Sequence, residues 1–200
     1  METTARDSSN APAIWLKRAR ARVQAASWSS PTASCTARAK RWLILVGTGP
    51  RGGEEIGSRP AWVGELFTRT YPRQEDMWLP ILFEPSETSQ AAGRAYVERI
   101  VERTDRDTPV TQQSVIAQLA AIAAYGAVKD PEFPDLKALT LPVLVVNGNH
   151  DIIITTVNSY ILQQHLPNAQ LLLYPDSGHG AHHQYHESFV HHTRYFLDQR

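Results

Sequence analysis

Two hundred residues with 42% in the apolar class and a formal net charge of zero describe one globular domain with enough chain to bury a core. No stretch nears the roughly 18 consecutive apolar residues that a membrane span needs, and a lone cysteine, Cys35, excludes an internal disulfide and any metal site built on paired thiolates. The balanced charge conceals an asymmetry: residues 1–41 carry eight Lys or Arg against two acids, whereas residues 42–200 carry twelve against eighteen.

Residues 1–40 are rich in Ala, Ser, Thr and Arg, hold no glycine and sustain no hydrophobic period. They read as a basic, disordered extension, and the same Arg-rich, acid-poor composition also fits an organelle transit segment. No nucleic-acid motif accompanies the charge, so no nucleic-acid partner is expected. At Trp42 the character changes, and residues 41–200 read as a folded domain. "WLILVG" predicts a strand over about 42–47, "LPVLVVNG" one over about 143–147 and "AQLLLYPD" one over about 170–174. Such unbroken apolar runs closed by Gly or Pro suit strands buried on both faces, as in a parallel sheet covered by helices.

About 95 residues separate the first two strands, far more than one crossover helix requires. "SQAAGRAYVERIVERT" and "SVIAQLAAIAAYG" within them have helical spacing, so a helical lid is expected over about 60–130. Trp62, Met77, Trp78 and Leu79 serve there either as apolar walls or as core. Between the second and third strands, Val157, Tyr160, Ile161 and Leu162 predict a helix. After the third, Phe189, Val190, Phe196 and Leu197 predict another with one apolar face. The fold class is therefore α/β.

Open parallel sheets bind ligands at the carboxyl ends of their strands. "NGNHD" places Asp151 just past the second strand, and "DSGHG" places His179 just past the third. Alone, the aspartate reads as a turn or cap residue and the histidine as a surface group. Together at one rim they form the arrangement in which a carboxylate orients an imidazole and stabilises its protonated form. Gly148, Gly178 and Gly180 are expected to supply sharp turns between them. "HGAHHQYH" offers histidine spacings that zinc could use, but no carboxylate or second cluster supports them, and no metal is expected. "VGTGPRGG" lacks the register of a phosphate-binding loop.

"LILVGTGPRGG", "LPVLVVNGNHDIIITTVNSYILQQHLPNAQLLLYPDSGHG" and the closing helix resemble the C-terminal portion of the α/β-hydrolase superfamily, in particular its haloperoxidase-like and esterase-like branch. The resemblance implies a partial α/β-hydrolase fold, with Asp151 as the triad acid and His179 as its base. It also implies a small apolar or ester-type substrate, hydrolysis of an acyl bond and no cofactor. Cysteine usage fits a reducing, cytoplasmic compartment. The family places its nucleophile on a Gly-x-Ser-x-Gly turn ahead of the sixth strand, yet the first glycine here is Gly47. Ser27 has small residues two positions to either side, the steric minimum of such a turn, but "KRARARVQ" before it is a poor buried strand. The expectation is a truncated and catalytically impaired hydrolase, or alternatively a noncatalytic ligand-binding or interaction module of the same fold. The first strand should have an open edge that favours self-association.

Overall fold

The computed structural model describes residues 42–199 apart from Arg106 and Pro109; the basic segment 1–40, with Ser27 and Cys35, lies outside the described residues. Three strands, β1 (Leu43–Val46), β2 (Val143–Gly148) and β3 (Ala169–Tyr174), form a parallel sheet in the order β1-β2-β3. Leu43 faces Val143, and Val146 faces both Val46 and Leu172. Burial on both faces holds for β2, all six of whose residues are buried. It does not hold for β1 and β3, which lie at the edges of the sheet among the described residues and are only partly covered. Leu43 and Gly47 donate their N–H groups to Pro142 and Val146. Backbone alternation then turns the N–H and C=O of Ile44 and Val46 away from β2.

The two-residue period of β2 splits the core. Leu144 and Val146 meet Tyr174, Ala181 and Phe196 on one face, while Val143 and Val145 meet Leu162 and Leu166 on the other. Helix α6 (Thr156–His165) supplies the second face and α8 (His186–Asp198) the first. Their inward stripes differ from the apolar patterns of the sequence. In α6, Val157 and Tyr160 are exposed, and Asn158, Ser159 and Leu162 point inward. Polar pairing accounts for this, because the Asn158 amide bonds the backbone N–H and C=O of Glu54, and Ser159 accepts from Asn147. In α8, Phe189 and Phe196, seven residues apart, face the sheet. Val190 and Leu197 sit one position further round and are exposed.

Between β1 and β2 the chain forms α1 (Ala61–Thr68), a 3-10 turn (Gln74–Met77), α2 (Trp78–Leu82), α3 (Glu87–Val101), α4 (Gln112–Ala127) and the short α5 (Pro134–Lys137). Met77, Trp78, Ile81, Leu82, Phe83 and Val97 bury a second core, and Ile152 and Ile153, just past β2, pack against it. Of the residues expected as lid wall or core, Met77 and Trp78 are core, whereas Trp62 is 52% exposed and is not. Helix α4 is different again. It carries no charged residue, yet Gly126 alone is buried, and Ile116 and Leu119 are 60% and 55% exposed.

Candidate active site

Asp151 follows β2 by three residues, and its side chain is completely buried. Oδ1 accepts the N–H groups of Ile153 (2.8 Å) and Ile154 (3.0 Å), so the carboxylate caps the turn that it begins. Oδ2 remains for His179, whose Nδ1 lies 2.8 Å away. A carboxylate only accepts, so Nδ1 carries the hydrogen and the Nε2 lone pair is left as the basic site of the ring. Thr156 braces the turn, accepting the Asp151 N–H (3.2 Å) while donating to the Gly148 carbonyl (2.7 Å).

His179 sits on the loop between β3 and α7 (Ala181–Gln184). This loop is stitched to its neighbour. His150 N–H donates to the Ser177 carbonyl, Asn149 Oδ1 accepts the Ser177 N–H, and the Ser177 hydroxyl donates to the Tyr174 carbonyl. Gly178 and Gly180 lie in the turn closed by the Ala181 N–H on the Gly178 carbonyl, without a positive φ, and Gly148 acts by close approach. A Cβ on Gly148 would lie 2.1 Å from the Ser177 carbonyl oxygen, so only hydrogen there lets the two loops touch. The strained backbone belongs to Asp176 (φ 45), which sequence reading missed.

Gly47, at the end of β1, also went unrecognised. Its φ is 53, and a Cβ there would lie 2.9 Å from His179 Cε1, so the imidazole lies against a backbone with no side chain. The carboxyl end of β1 thus joins those of β2 and β3 at one site. Beside it, Glu84 lies 3.7 Å from His150, and burial raises its carboxyl pKa above the usual range.

Within the histidine-rich stretch, His182 and His183 pack against other rings. His182 lies 3.9 Å from His183, ring to ring, and edge-on to Phe189, while His183 packs on Tyr96. Burial, followed by the neighbouring His183 and His179, pushes His182 down to about 3, and its Nδ1 has no hydrogen-bond partner. Among the described residues no three His, Cys, Asp or Glu side chains converge on a metal position, and no helix is long and apolar enough to cross a membrane. A cleft of about 380 Å³ lined by Arg51, Tyr125, Val128, Phe133 and Leu136 lies at the end of α4 and includes neither Asp151 nor His179. It is separate from the chemistry.

A buried carboxylate is hydrogen-bonded to an imidazole across the ends of adjacent parallel strands, a geometry in which the carboxylate can orient the ring. The model of the α/β-hydrolase fold family matches residues 18–184, and the chain belongs to that family. The match starts ahead of the described residues and takes in Ser27. An α/β-hydrolase-fold protein from Chitinophaga pinensis is 39% identical, with a TM-score of 0.71 over 80% of this chain and 57% of its own. A pimeloyl-[acyl-carrier protein] methyl ester esterase from Nitrosomonas europaea is 30% identical over 128 residues, 63% of this chain and 46% of its own length. An esterase from Exiguobacterium antarcticum, 17% identical, shares the fold with a TM-score of 0.51 over 79% of this chain and 57% of its own. The chain thus spans about half the length of these relatives.

Proposed function

We propose that Asp151 and His179 are the acid and base of a hydrolase site for esters or similar acyl compounds. The observation that carries this reading is the 2.8 Å contact between His179 Nδ1 and a carboxylate oxygen of the fully buried Asp151. The esterase relative supports the ester class. As a hydroxyl oxygen bonds to the acyl carbon, its proton passes to His179 Nε2, and Asp151 stabilises the resulting imidazolium. The same proton then goes to the departing alkoxide as the carbon–oxygen bond breaks. Water repeats both steps to release the acid.

The chain contains no Gly-x-Ser-x-Gly, so the further proposal is that its own turnover is impaired. That absence also favours the second reading, a noncatalytic module that binds a small apolar ligand. A fluorophosphonate probe separates the two. The hydrolase reading expects weak labelling of one serine, lost in His179→Ala, with Ser27→Ala asking whether Ser27 is that serine. Labelling indifferent to His179→Ala contradicts it. No labelling, combined with a melting temperature raised by an apolar ester analogue, favours the binding module.

A further inference from the structure

We infer that Gln184 is a positioning residue that couples the docking of the helical insertion to the geometry of His179, acting through the backbone of Asp176. This rests on the reading of Asp151 and His179 as an acid–base pair.

The coupling is a chain of hydrogen bonds whose directions are all determined. Ser89, in the first turn of α3, is fully buried. Its Oγ accepts the N–H of Glu84 (2.9 Å), so its own hydrogen goes to Gln184 Oε1 at 2.7 Å. Gln184 Nε2 then donates to the Asp176 carbonyl at 2.8 Å. A carbonyl can only accept, so neither the hydroxyl nor the amide can be reversed without leaving a polar group unpaired.

The end of this chain falls on a strained residue. Asp176 holds a left-handed backbone conformation that side-chain-bearing residues avoid, three positions before His179. A second tie runs from the insertion to the far side of His179, where Gly180 N–H donates to the Leu82 carbonyl at 2.8 Å. The loop carrying the imidazole is therefore held on one flank by Leu82 of the insertion and on the other by Gln184, which Ser89 of the insertion fixes in turn. Withdrawing the insertion removes the Leu82 bond and unfixes Gln184, which lets Asp176 relax and displaces His179 from Asp151.

The test is nitrogen-15 and proton NMR of the His179 Nδ1–H in the full chain, with the melting temperature recorded for each variant. Wild type shows an exchange-protected Nδ1 proton that disappears in Asp151→Asn. In Gln184→Met, which keeps the length but removes the donor and acceptor, the inference expects that proton to be lost to exchange in a folded protein. Adding Asp176→Gly should bring it back, because glycine occupies the left-handed conformation without a tether. Ser89→Ala poses the same question from the insertion side should Gln184→Met fail to fold. A merely structural Gln184 lowers the melting temperature and leaves the proton protected. Persistence of the proton in the single variants, or its absence from the double variant, overturns the inference. Its absence from wild type overturns the acid–base reading instead.

Discussion

The loops carrying Asp151 and His179 and the helix α4 invert what their compositions promise. The loops are rich in polar residues, yet Asp151 and Ser177 are buried and each is hydrogen-bonded. Helix α4 is apolar and uncharged, yet most of its length is exposed. What separates them is whether each group has a partner. A polar group can be buried when its hydrogen bonds are met inside, whereas an apolar one is buried only where another surface covers it. The central strand and its loops have neighbours on both sides. Helix α4 is attached near its end, where Gly126 packs under the Ile56 carbonyl.

The largest effect expected from this contrast is at Asp151. Asp151→Ala strands the N–H groups of Ile153 and Ile154 and the Nδ1 hydrogen of His179. Denaturant midpoints should record a loss of roughly 3 to 5 kcal/mol. A loss below about 1 kcal/mol would mean that water already satisfies these groups.

His182 gives the next effect, through pH. Its folded pKa, pushed down to about 3, lies below the 6.5 of a free histidine, so between those values the unfolded chain binds the proton and the folded chain does not. Its contribution is complete above about pH 6.5 and falls as pH drops through that window, by about 2 kcal/mol at about pH 5. His182→Phe should remove this part of the slope and stabilise the protein at low pH. An unchanged slope would mean that His182 takes up its proton in the fold.

Among the described residues no strand pairs with the far side of β1, and that side predicts association. With the backbone groups of Ile44 and Val46 unpaired by β2, sedimentation should reveal concentration-dependent self-association; one monomeric species at every concentration argues that the edge is covered. The smallest effect is at α4. Leu119→Gln should change stability by less than about 0.5 kcal/mol, and a cost several times larger would show that α4 packs against something and sink the contrast itself.

The strands were legible because unbroken apolar runs closed by Gly or Pro have few alternatives, and the pairing of Asp151 with His179 because each lies on the loop that follows such a run. Which helix faces turn inward was not. Periodicity in α6 marked Val157 and Tyr160, but Asn158 and Ser159 are turned in by partners at Glu54 and Asn147, distant in sequence or on another element. For the same reason Gly47, Thr156 and Gln184 carried no local signal. Their contributions exist only once three separate segments meet around His179.

Facing the Asp151 carboxylate, His179 should carry its hydrogen on Nδ1 and leave Nε2 as the nitrogen that accepts a proton. Nitrogen-15 NMR of the neutral histidine rings reads this directly. The expected result is a protonated Nδ1 whose resonance shifts in Asp151→Asn. A ring carrying its hydrogen on Nε2, or one insensitive to that substitution, would contradict it.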